Sequence, residues 1–274
     1  MVKRKLFCAG VVLLNMLQAV SGATLSGELR QWHKVTLTFT GPSTSETAAA
    51  NPFLDYRLNV TFTRRGSGSY VVPGYYCADG NAADTGASGG NKWRVHFSPP
   101  ATGTWNWQAS FRQATGIAVS SAAGTPTHFD GESGSFNVSA SDKTGDDFRG
   151  KGLIKLAPGK HYLQFSGTGQ YWIKGGTDSP EDFLACSDFD NTTSSSSFPT
   201  TNYPSHVGDW NSGDPTWRSG KGKGIIGVIN YLGAQRVNSV YFLPMNLGGD
   251  GQNTHPFAST SSDLVYDCSK LDQW

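Results

Sequence analysis

The stretch YWIKGGTDSPEDFLACSDFD, residues 171–190, is where the reading of this chain turns. A short apolar run, Tyr171-Trp172-Ile173, enters two glycines, and five acids follow: Asp178, Glu181, Asp182, Asp188 and Asp190. Before it the chain reads as strand and turn; after it comes a helical period. In KGKGIIGVINYLGAQR, residues 221–236, Ile225, Val228, Ile229 and Leu232 recur at helical spacing. A second apolar run, Asn238–Met245, ends at Pro244-Met245-Asn246. Strand, helix and strand in that order predict a right-handed βαβ unit with parallel strands. Residues 268–274, CSKLDQW, have the form of a cap and first turn of another helix. About 125 residues follow position 149, whereas a complete (β/α)8 barrel takes about 250. The expectation is therefore the front portion of an α/β barrel, cut short, over residues 151–274.

Upstream, the pattern is different. Val35–Thr40, Arg57–Thr63, Tyr70–Val72, Lys92–Phe97, Trp105–Phe111 and Gly134–Val138 alternate apolar and polar residues. Gly, Pro, Asn and Ser punctuate them, as at Gly41-Pro42 and Pro99-Pro100. About seven short strands without a helical period predict a β-sandwich over residues 25–140. The polar stretch 141–150 reads as a linker, and 152–156 with 161–165 as a small hairpin after it. The predicted fold class is mixed and two-domain: a β-sandwich, then an incomplete α/β barrel.

The 274 residues contain 34 glycines, 12% aromatic and 16% charged residues, a β-rich rather than a disordered composition. Lys3-Arg4-Lys5, an apolar stretch and Ser21-Gly22-Ala23 make a secretory signal over residues 1–22, so a secreted protein, extracellular or periplasmic, is expected. The formal charge is +1, and it falls to −2 without those three basic residues. A near-neutral chain lacks the electrostatic footprint of nucleic-acid binding. No segment reads as a membrane span. Of four cysteines, Cys8 lies in the signal; Cys77, Cys186 and Cys268 remain, an odd number compatible with one disulfide and one free thiol or with a partner further along a longer chain. No cysteine or histidine spacing suggests a metal, and no cofactor motif is present.

Ligands of parallel α/β folds bind at the carboxyl ends of strands. Asp178 follows Gly175-Gly176-Thr177 at such an end, and Asn246 and Asp250 follow the second run. Trp210 and Trp217 lie in the long loop between. Aromatic faces beside carboxylates and amides suit sugar rings, which stack by their C–H faces and hydrogen-bond by their hydroxyls. Asp178, Asn246, Asp250, Trp210 and Trp217 are thus the candidate substrate-binding residues for a poly- or oligosaccharide. Ser179-Pro180-Glu181-Asp182 reads as a helix start, and Asp188 with Asp190 as loop-ordering acids rather than a calcium site. Trp105 and Trp107 alternate on one strand; they could form a stacking platform, but packing between sheets is the commoner use.

Residues 28–111 resemble the secreted immunoglobulin-like module called domain of unknown function 5060. The resemblance rests on Trp32, LTFTGP (37–42), NPFLD (51–55), VPGYY (72–76), WRVHFSP (93–99) and Gly103-Thr104-Trp105. Cys77, after Tyr75-Tyr76, departs from the family's small or acidic residues. Such modules stand ahead of a glycoside-hydrolase-like barrel, whose first strands residues 150–274 resemble. The resemblance implies a secreted polysaccharide-degrading enzyme with its carboxylate pair on later strands. No catalytic residue is therefore assigned in this chain, which is expected to be inactive alone. The alternative is a non-catalytic glycan-binding or adhesion protein.

Overall fold

The structure is a computed structural model and describes residues 18–20, 22–176, 182–249 and 251–274. Most of the expected signal peptide lies outside these residues. The strands, in chain order, are β1 (Gln18–Val20), β2 (Ala23–Gly27), β3 (Val35–Ser45), β4 (Tyr56–Arg64), β5 (Gly68–Pro73), β6 (Tyr75–Tyr76), β7 (Gly89–Phe97), β8 (Gly103–Gln113), β9 (Thr125–Pro126), β10 (Ser133–Val138), β11 (Ile154–Leu156), β12 (Leu163–Phe165) and β13 (Tyr171–Trp172). Among the described residues three α-helices join them: α1 (Ala82–Thr85), α2 (Lys223–Ala234) and α3 (Cys268–Gln273).

The alternating segments fall inside β3, β4, β5, β7, β8 and β10, because a period of two places every second side chain on one face. They form two antiparallel sheets, β1-β2-β3-β7-β6 and β10-β8-β4-β5, with β9 on β8. The inward residues of both share one core. Phe39 of the first sheet meets Trp107 of the second edge to face at 5.6 Å, and Phe62 stacks on Phe97 at 4.2 Å. Trp93, Trp105 and Trp107 are 0–2% exposed, so they are core and not a surface platform. The chain crosses between sheets at Pro73-Gly74, and Gly74 N donates to Leu58 O. A Cβ on Gly74 would lie 2.4 Å from Leu58 Cδ2 and 2.8 Å from Arg94 O, so the crossing needs glycine.

The barrel expectation is overturned. The hairpin β11–β12 forms, but β13 pairs antiparallel with β12, giving a third antiparallel sheet. Residues 237–245 form no strand. Asn238 explains why: its side chain accepts from Gly175 N and donates to Ile173 O, both at 2.8 Å, while its N–H donates to Gly175 O. A side-chain amide thus takes the bonds that a parallel ladder would make. Tyr241, Phe242 and Met245 are 45%, 40% and 57% exposed, whereas parallel strands are buried on both faces. No parallel βαβ unit exists among the described residues, and the molecule is mostly antiparallel β.

The helical period does form α2. Gly224 and Gly227 let it lie against the turn Pro204–Asp209; a Cβ at either would stand 1.9 Å from a carbonyl oxygen of Asn202 or His206. Ile225 and Val228 join Phe183, Leu184, Cys186, Phe189 and Trp217 in a second cluster. A division into two domains is not established, because α3 serves both clusters: Cys268 belongs to the core between the sheets, and Trp274 packs on the second. No helix among the described residues is long and apolar enough to cross a membrane.

Candidate functional site

Asp178 and Asp250 lie outside the described residues. Asn246 is buried, and its Nδ2 donates to Asp182 Oδ1 at 3.3 Å while its backbone N donates to Thr254 O at 2.8 Å. It ties the loop 246–254 to the acid-rich stretch. Trp210 is half-buried, and Lys223 Nζ stands 4.4 Å above its ring. Trp217 is 4% exposed and stacks on Phe189 at 5.0 Å, with its indole N–H donating to Asp188 O at 2.8 Å. These residues serve separate local contacts, and Trp217 has its ring committed to packing.

The neighbouring acids are also engaged. Asp188 Oδ2 accepts from Gly222 N at 2.8 Å, at the start of α2. Burial alone would raise the Asp190 carboxyl, but the Arg218 fork, with Nη2 at 2.5 Å and Nε at 3.2 Å, holds it below the usual carboxylate range. Both order their loop.

A different site emerges where β5 stops pairing with β4. The start of β4 at Tyr56–Leu58, the β6–β7 edge and residues 266–274 enclose a groove of about 740 Å³. Tyr56, Tyr76 and Trp93 form its apolar floor; Tyr75, 41% exposed, stands at its mouth with Arg94 and His96; Tyr266 and Asp272 form the opposite wall. Arg94 Nη1 lies 3.3 Å from Asp272 Oδ1, and its Nη2 donates to Gly80 O at 2.6 Å. Tyr75 Oη is 2.8 Å from His96 Nε2, and His96 Nδ1 is 2.8 Å from Thr36 Oγ1. Burial, reinforced by Lys34 and Arg94, pushes the His96 imidazole down to about 4. It is neutral at physiological pH, so one ring nitrogen donates and the other accepts. Hydroxyl, neutral imidazole and guanidinium are thus fixed in orientation beside an exposed ring face.

Cys77 also lines the groove, but burial pushes its thiol up to about 11, with Arg94 only partly opposing. A protonated buried thiol is a poor nucleophile. Cys77, Cys186 and Cys268 are all free and buried. Glu28, His33 and Asp142 bring ligand atoms within 4.8 Å of one another. They do not fit a metal, because Lys143 stands 3.5 Å from Asp142, Arg30 3.5 Å from Asp142 and Arg149 4.0 Å from Glu28. His33 spends its nitrogens on Glu28 and Ser141 Oγ. The cluster clasps residues 141–149 to the sheets. The groove was hidden in the sequence, since its lining comes from six separate stretches between Lys34 and Trp274. Its one signal was the unusual Tyr75-Tyr76-Cys77.

Residues 28–112 match the model of the family described as domain of unknown function DUF5060. A solved structure from Bacteroides vulgatus ATCC 8482, named a "putative glycoside hydrolase", is 20% identical over 66% of this chain, with a TM-score of 0.39. This chain covers 25% of that one, so it spans about a quarter of its length. No curated protein matches the chain.

Proposed function

We propose that this chain is the sugar-recognising portion of a secreted, polysaccharide-acting protein of glycoside hydrolase type, and that it binds glycan without cleaving it. The observation that carries this reading is the groove mouth. An exposed Tyr75 ring, held by its hydroxyl's bond to His96, stands beside the Arg94 guanidinium over an apolar floor. A sugar presents the complement: a C–H face for the ring and hydroxyls for the polar groups. Hydrolysis needs a carboxylate pair across the scissile bond. In the groove Asp272 is paired with Arg94, and at the acid-rich loop Asp188 and Asp190 are held by their neighbours. Recognition therefore fits these residues better than catalysis.

Affinity electrophoresis of the purified chain through gels containing single polysaccharides tests this. Retardation by at least one polysaccharide, lost in Tyr75→Ala, is expected, with no release of reducing ends. Absence of retardation by every polysaccharide, or unchanged retardation of a folded Tyr75→Ala, would refute it.

A further inference from the structure

The groove mouth continues onto the outer face of the sheet β2-β3-β7-β6, whose strands carry cations and no acid. Register places three pairs across it: Thr36 opposite His96, Thr38 opposite Arg94 and Thr40 opposite Lys92. Tyr75 extends the Arg94 row onto β6. Lys34, exposed, stands just before β3 at the far end. The strands β2, β3, β6 and β7 contain no aspartate or glutamate. Asp272, reaching in from α3, is the acid paired with Arg94. Three cations thus share a face with one carboxylate.

The opposite outer face, on β4 and β8, differs. Asn59, Thr61, Asn106 and Gln108 occupy its centre. Its cations are spent: Arg57 donates to the carbonyls of Ser120 and Ala122, and Arg112 pairs with Asp130 at 3.1 Å. The asymmetry rests on Lys34 and Lys92, which pair with no carboxylate among the described residues, since Arg94 is matched by Asp272 as Arg112 is by Asp130.

We infer that this face takes an acidic polysaccharide, a chain of uronic acid residues, running along β3 and β7 from Lys92 past Arg94 to Lys34. The inference rests on the sugar-binding reading of the groove. From Thr40 to Lys34 the strand advances roughly 20 Å, the span of a short oligosaccharide, with Lys92 and Arg94 roughly 7 Å apart. The Lys92 ammonium, bonded to Thr40 Oγ1 at 2.9 Å, is fixed as a point charge. Arg94 spends N–H groups on Asp272, Gly80 and Thr38, so it adds its charge to the row rather than a free fork. Between the charges, Thr36, Thr38 and Thr40 bond to His96, Arg94 and Lys92 and hold that row in place. A single-stranded nucleic acid would need a run of stacking rings along the path, and only Tyr75 and the neighbouring His96 supply rings at these positions.

Calorimetric titration of the full chain with tetragalacturonate, its methyl ester, a sulfated galactan oligosaccharide and a single-stranded oligonucleotide decides the matter. The free acid should bind at least about ten-fold more tightly than the ester, and weaken as salt rises from about 50 to about 500 mM. Lys34→Gln with Lys92→Gln, folded by circular dichroism, should lose about ten-fold toward the acid. Equal binding of acid and ester would overturn the charge reading and leave sugar binding standing. No binding of either, with no retardation by any polysaccharide, would overturn both. Tighter binding of the sulfated sugar or the oligonucleotide would overturn the choice of uronate.

Discussion

Asp272 Oδ1 stands 3.3 Å from Arg94 Nη1, and the other Asp272 oxygen accepts from Ala83 N at 3.0 Å. One carboxylate therefore fastens α3 to both β7 and α1. Both side chains line the groove.

The first prediction follows from that pair. Both side chains are about one-fifth exposed, at 17% and 23%, so the pair lies between a surface ion pair and a buried one. Asp272→Asn should cost about 1 kcal/mol in urea denaturation. Combined with Arg94→Gln in a double-mutant cycle, it should show coupling of at least about 0.5 kcal/mol. Strict additivity of the two substitutions would mean that the pair does not hold α3.

The second prediction separates two core tryptophans. Trp105 Nε1 donates to Ala101 O at 2.9 Å, whereas Trp107 Nε1 is buried without a partner. Trp105→Ala or Trp107→Ala should each cost about 3–5 kcal/mol through the lost volume. The phenylalanine variants should differ: Trp105→Phe orphans a carbonyl, while Trp107→Phe removes an unsatisfied donor. We expect Trp105→Phe to be the worse by on the order of 1 kcal/mol. Equal midpoints for the two would contradict the assigned hydrogen bond.

These residues also show what could be read from the sequence. Trp105 and Trp107 sit on a strand whose alternation is local, so β8 and its inward face were legible. So was α2, whose Ile225 and Val228 recur on one side. The partner of β13 was not legible. Period tells which face of a strand is buried, not which edge is bonded, and the decisive group was a single side chain, Asn238. The groove failed for a related reason. Tyr75, Arg94 and Asp272 are brought together by sheet register and by the docking of α3, neither of which leaves a spacing in the chain. Of the proposed rim, Asn246 does reach an acid, but it is Asp182, which the sequence assigned to a helix start.

The third prediction concerns acid. His96 is held down to about 4 by burial, whereas an exposed histidine titrates near 6.5. Between those values the unfolded chain binds the proton and the folded protein does not. The contribution of His96 is therefore full above about 6.5 and is lost as pH falls toward 4. Glu46, raised by burial, acts in the opposite sense, and His255, lowered by burial, in the same sense. The difference between wild type and His96→Asn isolates the one group. Wild type should lose stability relative to the variant as pH drops from 6.5 to 4, measured by urea midpoints. A pH-independent difference would show that His96 is not desolvated.

The fourth prediction concerns the opposite end of the pH scale. Lys270 is 0% exposed, and its Nζ donates to Asn191 O at 2.9 Å and His255 O at 3.3 Å, clasping two loops to α3. Burial pushes its ammonium down to about 8, with Asp267 and Asp190 opposing in part. An unfolded lysine titrates near 10.4. Between these values the folded protein carries fewer protons than the unfolded chain, so this group's contribution to stability rises with pH, by less than about 1.4 kcal/mol per unit. Lys270→Met removes that slope along with the two hydrogen bonds. The stability difference, wild type minus variant, should therefore grow from pH 8 to pH 10 in urea denaturation. The other lysines and the tyrosines titrate in both proteins and cancel. A difference that stays flat or shrinks over this window would place the Lys270 ammonium in contact with water, and the clasp between α3 and its two loops would have to be held by Asp267 instead.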